Sequence, residues 1–450
     1  MTLPNGILVA WVGDDFTGSA ASMEVLEFAG VPAVLFLDVP TPEQLARFPD
    51  VRAIGIATTA RSHSPDWMDQ HLPPVFEFLK STGAPVLHYK VCSTLDSAPH
   101  VGSIGKAINI GCSIVGDGPV PFLVAAPVMR RYQAFGHLFA GAGDDVYRLD
   151  RHPVMAKHPV TPMQEADVAR HLSRQTDKPV GTATVEELDN HPHTALARKT
   201  GIVTLDAMTQ SHMETNGALI WGLPKPCFVA GSQGIEYALV DHWRTTGQLE
   251  HINRTQSAQP VERIIAVSGS VSPTTGEQIA WAEANGFEVI KLDAAGVVTG
   301  ALTDDVFNAA IKAIDAGRDP LICTARGPDD PAVENMRSTI KTEGIDPETA
   351  NTRIGAALGQ VLKRLLLETG LKRAVISGGD TSGHACRELG LYAFTALAPT
   401  IPGASLLTAH TEDTALAGLQ LALKGGQMGS ADYFGWIKRG GGAALEEVIA

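Results

Sequence analysis

Short apolar runs rich in Val and Ile recur along the chain at residues 7–12, 33–37, 53–57, 86–90, 122–125, 202–205 and 228–230, separated by helix-length segments. After a polar interval they resume at 264–267, 288–292, 321–324 and 374–376. Runs of this length read as strands buried on both faces, and strands alternating with helices predict parallel sheets covered on each side. The interval 247–263, GQLEHINRTQSAQPVER, carries Gln, Asn, Ser and Pro with little apolar periodicity and marks a connection between two domains. The expectation is an α/β chain with domains at 1–250 and 263–450, joined by a linker at 251–262. Each domain is a mostly parallel sheet with helices on both faces.

Open parallel sheets take ligands beyond the carboxyl ends of their strands, and the polar motifs fall there. VGDDFTG (12–18) follows the first run and leads into a helix that Thr17 or Ser19 can cap. Adjacent carboxylates such as Asp14 and Asp15 are costly at a strand end unless they meet a cation or a hydroxyl-rich ligand. A helix macrodipole accounts for one acid at such a position, but not for the pair with its two glycines. TTARS (58–62) follows the third run, and the forked guanidinium of Arg61 suits a carboxylate. KVCSTLD (90–96) and GSIG (102–105) follow the fourth, supplying Lys90, Ser93, Asp96, Gly102 and Ser103. Any one of these alone reads as a cap, a turn or a solvated charge. At successive strand ends they describe a pocket for a small polyhydroxy acid, with cations for its carboxylate and carboxylates for its hydroxyls. Arg130, Arg131, His152, Lys157 and His158 add basic groups further on, but a Pro-rich His segment reads first as a loop with satisfied imidazoles.

The second half is marked by glycine loops. SGGDTSG (377–383) lies between an apolar run and a helix-like segment, and its glycines let the backbone approach an anion while the helix start offers unpaired N–H groups. It is neither Gly-x-Gly-x-x-Gly, because Asp380 takes the second glycine's place, nor a P-loop, because no Lys-Ser/Thr closes it. Taken alone, such a turn also serves simply to pack a helix on a sheet. SGSVSPTTG (268–276) opens a helix near Glu277 and forms a second phosphate-sized site, while TIPG (400–403) and LKGGQMG (423–429) add two more loops. Four such loops point to one nucleotide wrapped by backbone, with Ser268, Ser270, Ser272, Gly378, Gly379, Asp380, Thr381, Gly403, Lys424 and Gly425 as candidate contacts.

Composition narrows the partners. The 450 residues are 44% hydrophobic and 19% charged, as in an ordinary globular protein with room for large cores. A formal charge of -14 opposes a nucleic-acid or anionic-membrane partner, so an anionic ligand must be held locally by loop amides, placed Arg or Lys side chains and a divalent cation. Five scattered cysteines with no Cys-x-x-Cys pair oppose a disulfide framework and structural zinc. No apolar run approaches the roughly 20 residues that span a bilayer, and the first residues carry no basic leader, so the expected compartment is the cytoplasm. A homodimer is compatible with all of this.

Together these motifs resemble, in order and over essentially the whole chain, the four-carbon acid sugar kinases, a family once catalogued as a domain of unknown function. The first half carries Asp-Asp-Phe-Thr-Gly at 14–18, Lys-x-x-Ser-Thr-x-Asp-Ser at 90–97 and Gly-x-Ile-Gly at 102–105. The second carries Ser-Gly-Ser-x-Ser at 268–272, Gly-Gly-Asp-Thr-Ser-Gly at 378–383, Pro402-Gly403 and a closing Lys-x-Gly-x-x-Gly-like loop at 424–429. Leu95 stands where many members have Phe, Ser103 where many have Asn, and Gly426-Gln427-Met428 where Gly-Asn-Phe or similar is usual. The first two departures leave the particular sugar acid open.

The resemblance implies an acid-sugar-binding N-terminal domain, an ATP-binding C-terminal domain and an active site in the cleft between them. It also implies phosphorylation of a terminal hydroxyl of threonate, erythronate, 3-oxo-tetronate or a branched 3-oxo relative. On this reading ATP lies along Ser270, Gly378 to Thr381 and Gly425 with Mg²⁺ bridging its phosphates, and Asp14, Asp15, Arg61, Lys90 and Asp96 hold the acid sugar. Asp15 or Asp14 is the expected base, and Lys90 meets either the transferring phosphoryl group or the carboxylate. Two other classes are weaker. An aspartyl-phosphate phosphatase needs Asp-x-Asp-x-Thr, and Gly13 stands in the nucleophile's place. A non-catalytic sugar-acid sensor needs no nucleotide loops.

Overall fold

The computed structural model describes residues 2–442 apart from 159, 197–198, 253–255 and 302–303, and apart from the side chains of 193 and 380. The chain divides into two compact units, Met1–Asn253 and Arg254–Ala450.

In the first unit, β1 (Val9–Gly13), β2 (Ala33–Phe36), β3 (Ala53–Ala57), β4 (Val86–Lys90) and β5 (Val120–Leu123) precede an antiparallel meander. The meander is β6 (Arg131–Ala134), β7 (His137–Ala142) and β8 (Asp145–Arg148), and β9 (Val180–Ala183), β10 (Ile202–Leu205) and β11 (Cys227–Gly231) follow it. The main sheet runs β2-β3-β1-β4-β11-β5-β10-β9, and its pairs are parallel. Because helices cover these strands, they carry little polar alternation. Ala10, Val12, Ile56, Leu87 and Tyr89 enter one core with the helices Pro65–Ser81 and Ile104–Val115. Trp11 is wholly buried over Gly55, where a Cβ would lie 2.1 Å from the indole, so that strand position accepts only glycine.

The chain passes from β3 to β4 across β1, which makes β1 a switch point in strand order. Gly13, Ala57 and Lys90 end these three strands in register. This is where an open α/β sheet presents a ligand crevice.

The second unit comprises β12 (Ile265–Ser268), β13 (Phe287–Lys291), β14 (Asp319–Cys323), β15 (Arg373–Ser377), β16 (Leu391–Ala398), β17 (Leu406–Thr411) and β18 (Gln420–Lys424). Their order is β13-β14-β12-β15-β18-β17-β16, parallel through β18 and antiparallel across the last two pairs. Here too a register places three polar residues at adjacent carboxyl ends, Ser268, Ser377 and Lys424.

Several expectations change. The meander, β9 and β16 to β18 were not legible as strands, so the first two residues of LKGGQMG belong to a strand and Lys424 is a strand-end residue rather than a loop residue. The helix after β12 starts at Pro273, not near Glu277, with Ser272 as its N-cap. The described part of the connection is not a free spacer. Ala258 N donates to Gly440 O and Val261 N to Lys438 O, at 2.8 and 3.0 Å, and Arg373 Nη2 donates to Gln259 O at 2.7 Å. No helix among the described residues is long and apolar enough to cross a membrane.

Candidate active site

The first site grows from the end of β1. Gly13 packs against Ser19, leaving no room for a Cβ, and its carbonyl accepts from Thr58 N at 2.9 Å and Thr58 Oγ1 at 2.7 Å. Asp14 is pinned by its backbone, donating to Lys90 O and accepting from Arg61 N, both at 3.0 Å. Asp15, rather than Thr17 or Ser19, is the N-cap of the helix Phe16–Phe28. Its Oδ1 accepts from Gly18 N at 2.9 Å, and its Oδ2 from Thr17 Oγ1 at 2.8 Å and Arg61 Nη1 at 3.0 Å. Both oxygens are therefore occupied. The neighbouring carboxylate is different: Asp14 is 1% exposed, and its Oδ1 has no hydrogen-bond partner among the described residues.

Lys90 ends β4 and is also 1% exposed. A Cβ on Gly18 would lie 2.3 Å from both Lys90 Nζ and Asp15 Oδ1, so this glycine lets the lysine reach the acid pair. Arg61 lies in a short turn after β3, 3.9 Å from Asp96 Oδ2 besides its bond to Asp15.

The loop after β4 is folded on itself. Cys92 Sγ lies 3.0 Å from Thr94 Oγ1, which donates to Asp96 Oδ1 at 2.9 Å, and Leu95 adopts φ 55°. Ser93 is partly buried in the same loop. Gly102 has φ 59°, and a Cβ there would lie 2.5 Å from Arg61 O, while Ser103 is buried as the cap of Ile104–Val115.

The electrostatics separate the two aspartates. Burial pushes the Asp14 carboxyl up to about 7, and the charge of Asp15 adds to this against the pull of Lys90 and Arg61. Burial also acts upward on Asp15, but Arg61, Lys90, Thr17 and the Gly18 amide outweigh it and hold that carboxyl below its usual range. Burial raises the Cys92 thiol to about 11, so it is an uncharged wall of the site at neutral pH.

Supports that no local motif revealed hold this site from a distance. Gln175 Nε2 donates to Ser97 Oγ at 3.0 Å and its Oε1 accepts from Ile104 N at 2.7 Å, joining the loop to the helix start. Under β4, His88 Nδ1 lies 2.6 Å from Glu236 Oε1, and Ser22 Oγ donates to Glu236 Oε2 at 2.9 Å. His152 and His158 serve as loop braces: their Nδ1 atoms accept from Val154 and Met155 N, and from Thr161 N. Arg130 spans the meander by donating to Asp144 O and Asp145 O.

The second site is built from hydroxyls and backbone. Ser272 Oγ accepts from Thr275 N at 3.1 Å, and Thr275 Oγ1 donates within reach of Ser270 Oγ and Gly426 O, both at 2.9 Å. A Cβ on Gly426 would lie 2.5 Å from Ser270 Oγ, so the two loops touch at this glycine. Gly378, at φ 127°, precedes the helix Gly379–Glu388, and Cβ atoms on Gly378 and Gly269 would lie 2.8 and 2.3 Å from Thr381 Oγ1. Lys424 is wholly buried beside Thr275 and Gly425, and burial pushes its amine down to about 7. Gly403 takes φ 87° between β16 and β17, and the side chain of Asp380 lies outside the described residues. Among the described residues no group of three or more His, Cys, Asp or Glu side chains could hold a metal by itself.

A family model described as a sugar-binding N-terminal domain matches residues 9–239, and one described as a nucleotide-binding C-terminal domain matches residues 265–434. The chain is 43% identical to a 3-oxo-isoapionate kinase of Paraburkholderia graminis, over 97% of this chain and 95% of that protein. It is 32% identical to a 3-oxo-tetronate kinase of Methylobacterium radiotolerans, over 94% and 97%. A crystal structure from Salmonella typhimurium LT2, described as a putative tRNA synthase, matches with a TM-score of 0.75 at 24% identity, over 96% of this chain and 98% of that one. At that identity the likeness speaks to the fold alone.

Proposed function

As a member of the four-carbon acid sugar kinase family the chain is an ATP-dependent carbohydrate kinase, and we propose that its substrate is a 3-oxo acid sugar of the 3-oxo-isoapionate kind. The 43% identity to the 3-oxo-isoapionate kinase, against 32% to a 3-oxo-tetronate kinase, favours the first substrate over the second.

In this reading the first unit holds the acid sugar and the second holds ATP. Arg61 faces the substrate's carboxylate, with Asp15 fixing its direction, while Asp96, Ser93 and the Gly102–Ser103 turn border the hydroxyls. Asp14, not Asp15, orients the attacking hydroxyl and takes its proton. The observation that carries this assignment is the unpartnered, buried Asp14 Oδ1 next to an Asp15 with both oxygens engaged. A base near neutrality combines an ionised fraction with useful basicity, whereas a carboxylate stabilised by an arginine and a helix start is a poor one. Lys90, buried beside the acids, neutralises charge as the phosphoryl group arrives.

Phosphoryl transfer asks mainly for positioning and charge neutralisation. Mg²⁺ would enter with the nucleotide beside the hydroxyls of Ser270, Ser272 and Thr275, and would supply neutralisation of phosphate charge there. The five free cysteines fit a reducing cytoplasm.

The test is ADP release by the purified protein with Mg-ATP and 3-oxo-isoapionate, 3-oxo-tetronate, threonate or erythronate. The expected result is the highest kcat/KM on 3-oxo-isoapionate. A higher value on 3-oxo-tetronate overturns the substrate assignment, and no release with any of them overturns the kinase reading.

A further inference from the structure

Lys424 is a lysine whose described hydrogen-bond partners are neutral. It ends β18 with its whole side chain buried, and its Nζ donates to Gly425 O at 3.0 Å and lies 3.4 Å from Thr275 Oγ1. Both partners are neutral, and no carboxylate pairs with it among the described residues. Ser377 lies in register beside it and Ser268 beside Ser377; both are wholly buried, and Ser377 Oγ has no hydrogen-bond partner among the described residues. An unpartnered hydroxyl, a buried amine and two helix starts, Pro273–Ala284 and Gly379–Glu388, thus meet at one set of strand ends. This arrangement is complete only with an anion that accepts from all of them.

The groups facing the amine are neutral on nearly every side. From β15 it is Ser377, the in-register neighbour of Lys424, and from the helix Pro273–Ala284 it is Thr275, while β17 pairs with β18 only up to Ala422. The helix Gly379–Glu388 also packs on β18 and brings Asp380, whose side chain is outside the described residues, with Arg387 and Glu388 at its far end.

Resting on the reading of this unit as the ATP-binding half, we propose that Lys424 is a proton-coupled phosphate ligand. The amine is neutral while the site is empty and takes one proton from solvent, –NH₂ becoming –NH₃⁺, as the nucleotide's phosphate oxygens arrive. The physical reason is symmetrical. Burial without a counter-ion disfavours the ammonium, and a phosphate within hydrogen-bond distance favours it. The direction and extent of the burial effect, which sets the free amine at about 7, agree with that geometry.

Two consequences follow for nucleotide binding. Near pH 8 most of the free amine is neutral, so binding takes up roughly one proton. Affinity then falls with rising pH, by up to about tenfold per unit, until the amine's own raised value in the complex is passed.

The experiment is calorimetric titration of the full-length protein with Mg-ATP, without acid sugar, at about pH 8 in buffers of differing ionisation enthalpy. The wild type should show close to one proton taken up. Lys424→Arg, whose guanidinium is charged throughout, should bind ATP with no uptake, and Lys424→Met should bind at least tenfold more weakly, also with none. A wild-type heat that does not vary with buffer overturns the proposal, as does uptake that persists in Lys424→Met. Failure of the wild type to bind ATP at all would instead remove the nucleotide reading on which the proposal rests.

Discussion

The N-terminal site is made of charged side chains, two aspartates flanked by Lys90, Arg61 and Asp96, whereas the described side chains of the C-terminal site are serines, threonines and a lysine set among glycines. An acid sugar presents a carboxylate and several hydroxyls, so its site needs both signs of charge. A nucleotide's phosphates present oxygens that amides, hydroxyls and helix starts can satisfy. Yet burial does the same thing to the central ionisable group of each site. It moves Asp14 up to about 7 and Lys424 down to about 7. Each site therefore stores a group close to neutrality whose charge is completed by its ligand or its reaction.

The sharpest way to break the comparison is within the aspartate pair. Asp14→Asn should lower kcat by about a hundredfold or more with ATP affinity unchanged, because an amide keeps the shape but accepts no proton. Asp15→Asn should lose less turnover and instead lose about 1–3 kcal/mol of stability, since the amide keeps the helix cap but gives up the charge paired with Arg61. If Asp15→Asn is the crippled variant and Asp14→Asn is nearly normal in steady-state assays, the two roles are exchanged.

The backbone character of the second site can be tested at Gly378. A Val there meets Thr381 and a left-handed φ of 127°, so ATP affinity should fall at least about tenfold while calorimetry still detects acid-sugar binding. Unchanged ATP affinity would remove this turn from the nucleotide site.

Arg61→Ala should raise KM for the acid sugar by roughly tenfold and leave KM for ATP little changed. It also removes a cation that lowers the Asp14 carboxyl, so the acid side of the pH profile should move to higher pH. Equal losses on an acid sugar and on the matching neutral polyol would make Arg61 a support of the fold rather than a reader of the carboxylate.

The smallest expected effect is on stability. Asp14 is raised in the folded protein above its unfolded value of 3.8, so its ionisation opposes folding, with the cost absent at low pH and fully present above about 7. Asp14→Asn should therefore raise Tm by a few degrees near pH 8 and by much less near pH 5, at roughly 2–4 °C per kcal/mol for a unit of this size. Equal shifts at both pH values would mean that the carboxyl is not displaced.

Much of this was legible in the chain. The strand ends at Gly13, Lys90, Ser268 and Ser377 were marked by the switch from apolar runs to polar motifs, and the family signatures fell on them. The division of labour between Asp14 and Asp15 was not, because it depends on a cap geometry and on Arg61, 46 residues away. Lys424 read as a loop residue because β18 is a short run with two glycines directly after it. The His88–Glu236–Ser22 cluster spans separations of 148 and 214 residues and leaves no local pattern. The meander escaped because its turn depends on left-handed Phe135 and Gly136, at φ 48° and 79°, not on an Asn-Gly signal.

The most direct test of the account is the pH dependence of kcat/KM for the acid sugar at saturating Mg-ATP, which reports the essential groups of the ATP-bound enzyme that meets the sugar. If Asp14 is the base, kcat/KM should be level above about pH 7.5 and fall close to tenfold per unit below about 7, with the limb shifted upward in Arg61→Ala. A profile that stays flat down to about pH 5, where a carboxylate held low like Asp15 is still ionised, would contradict it.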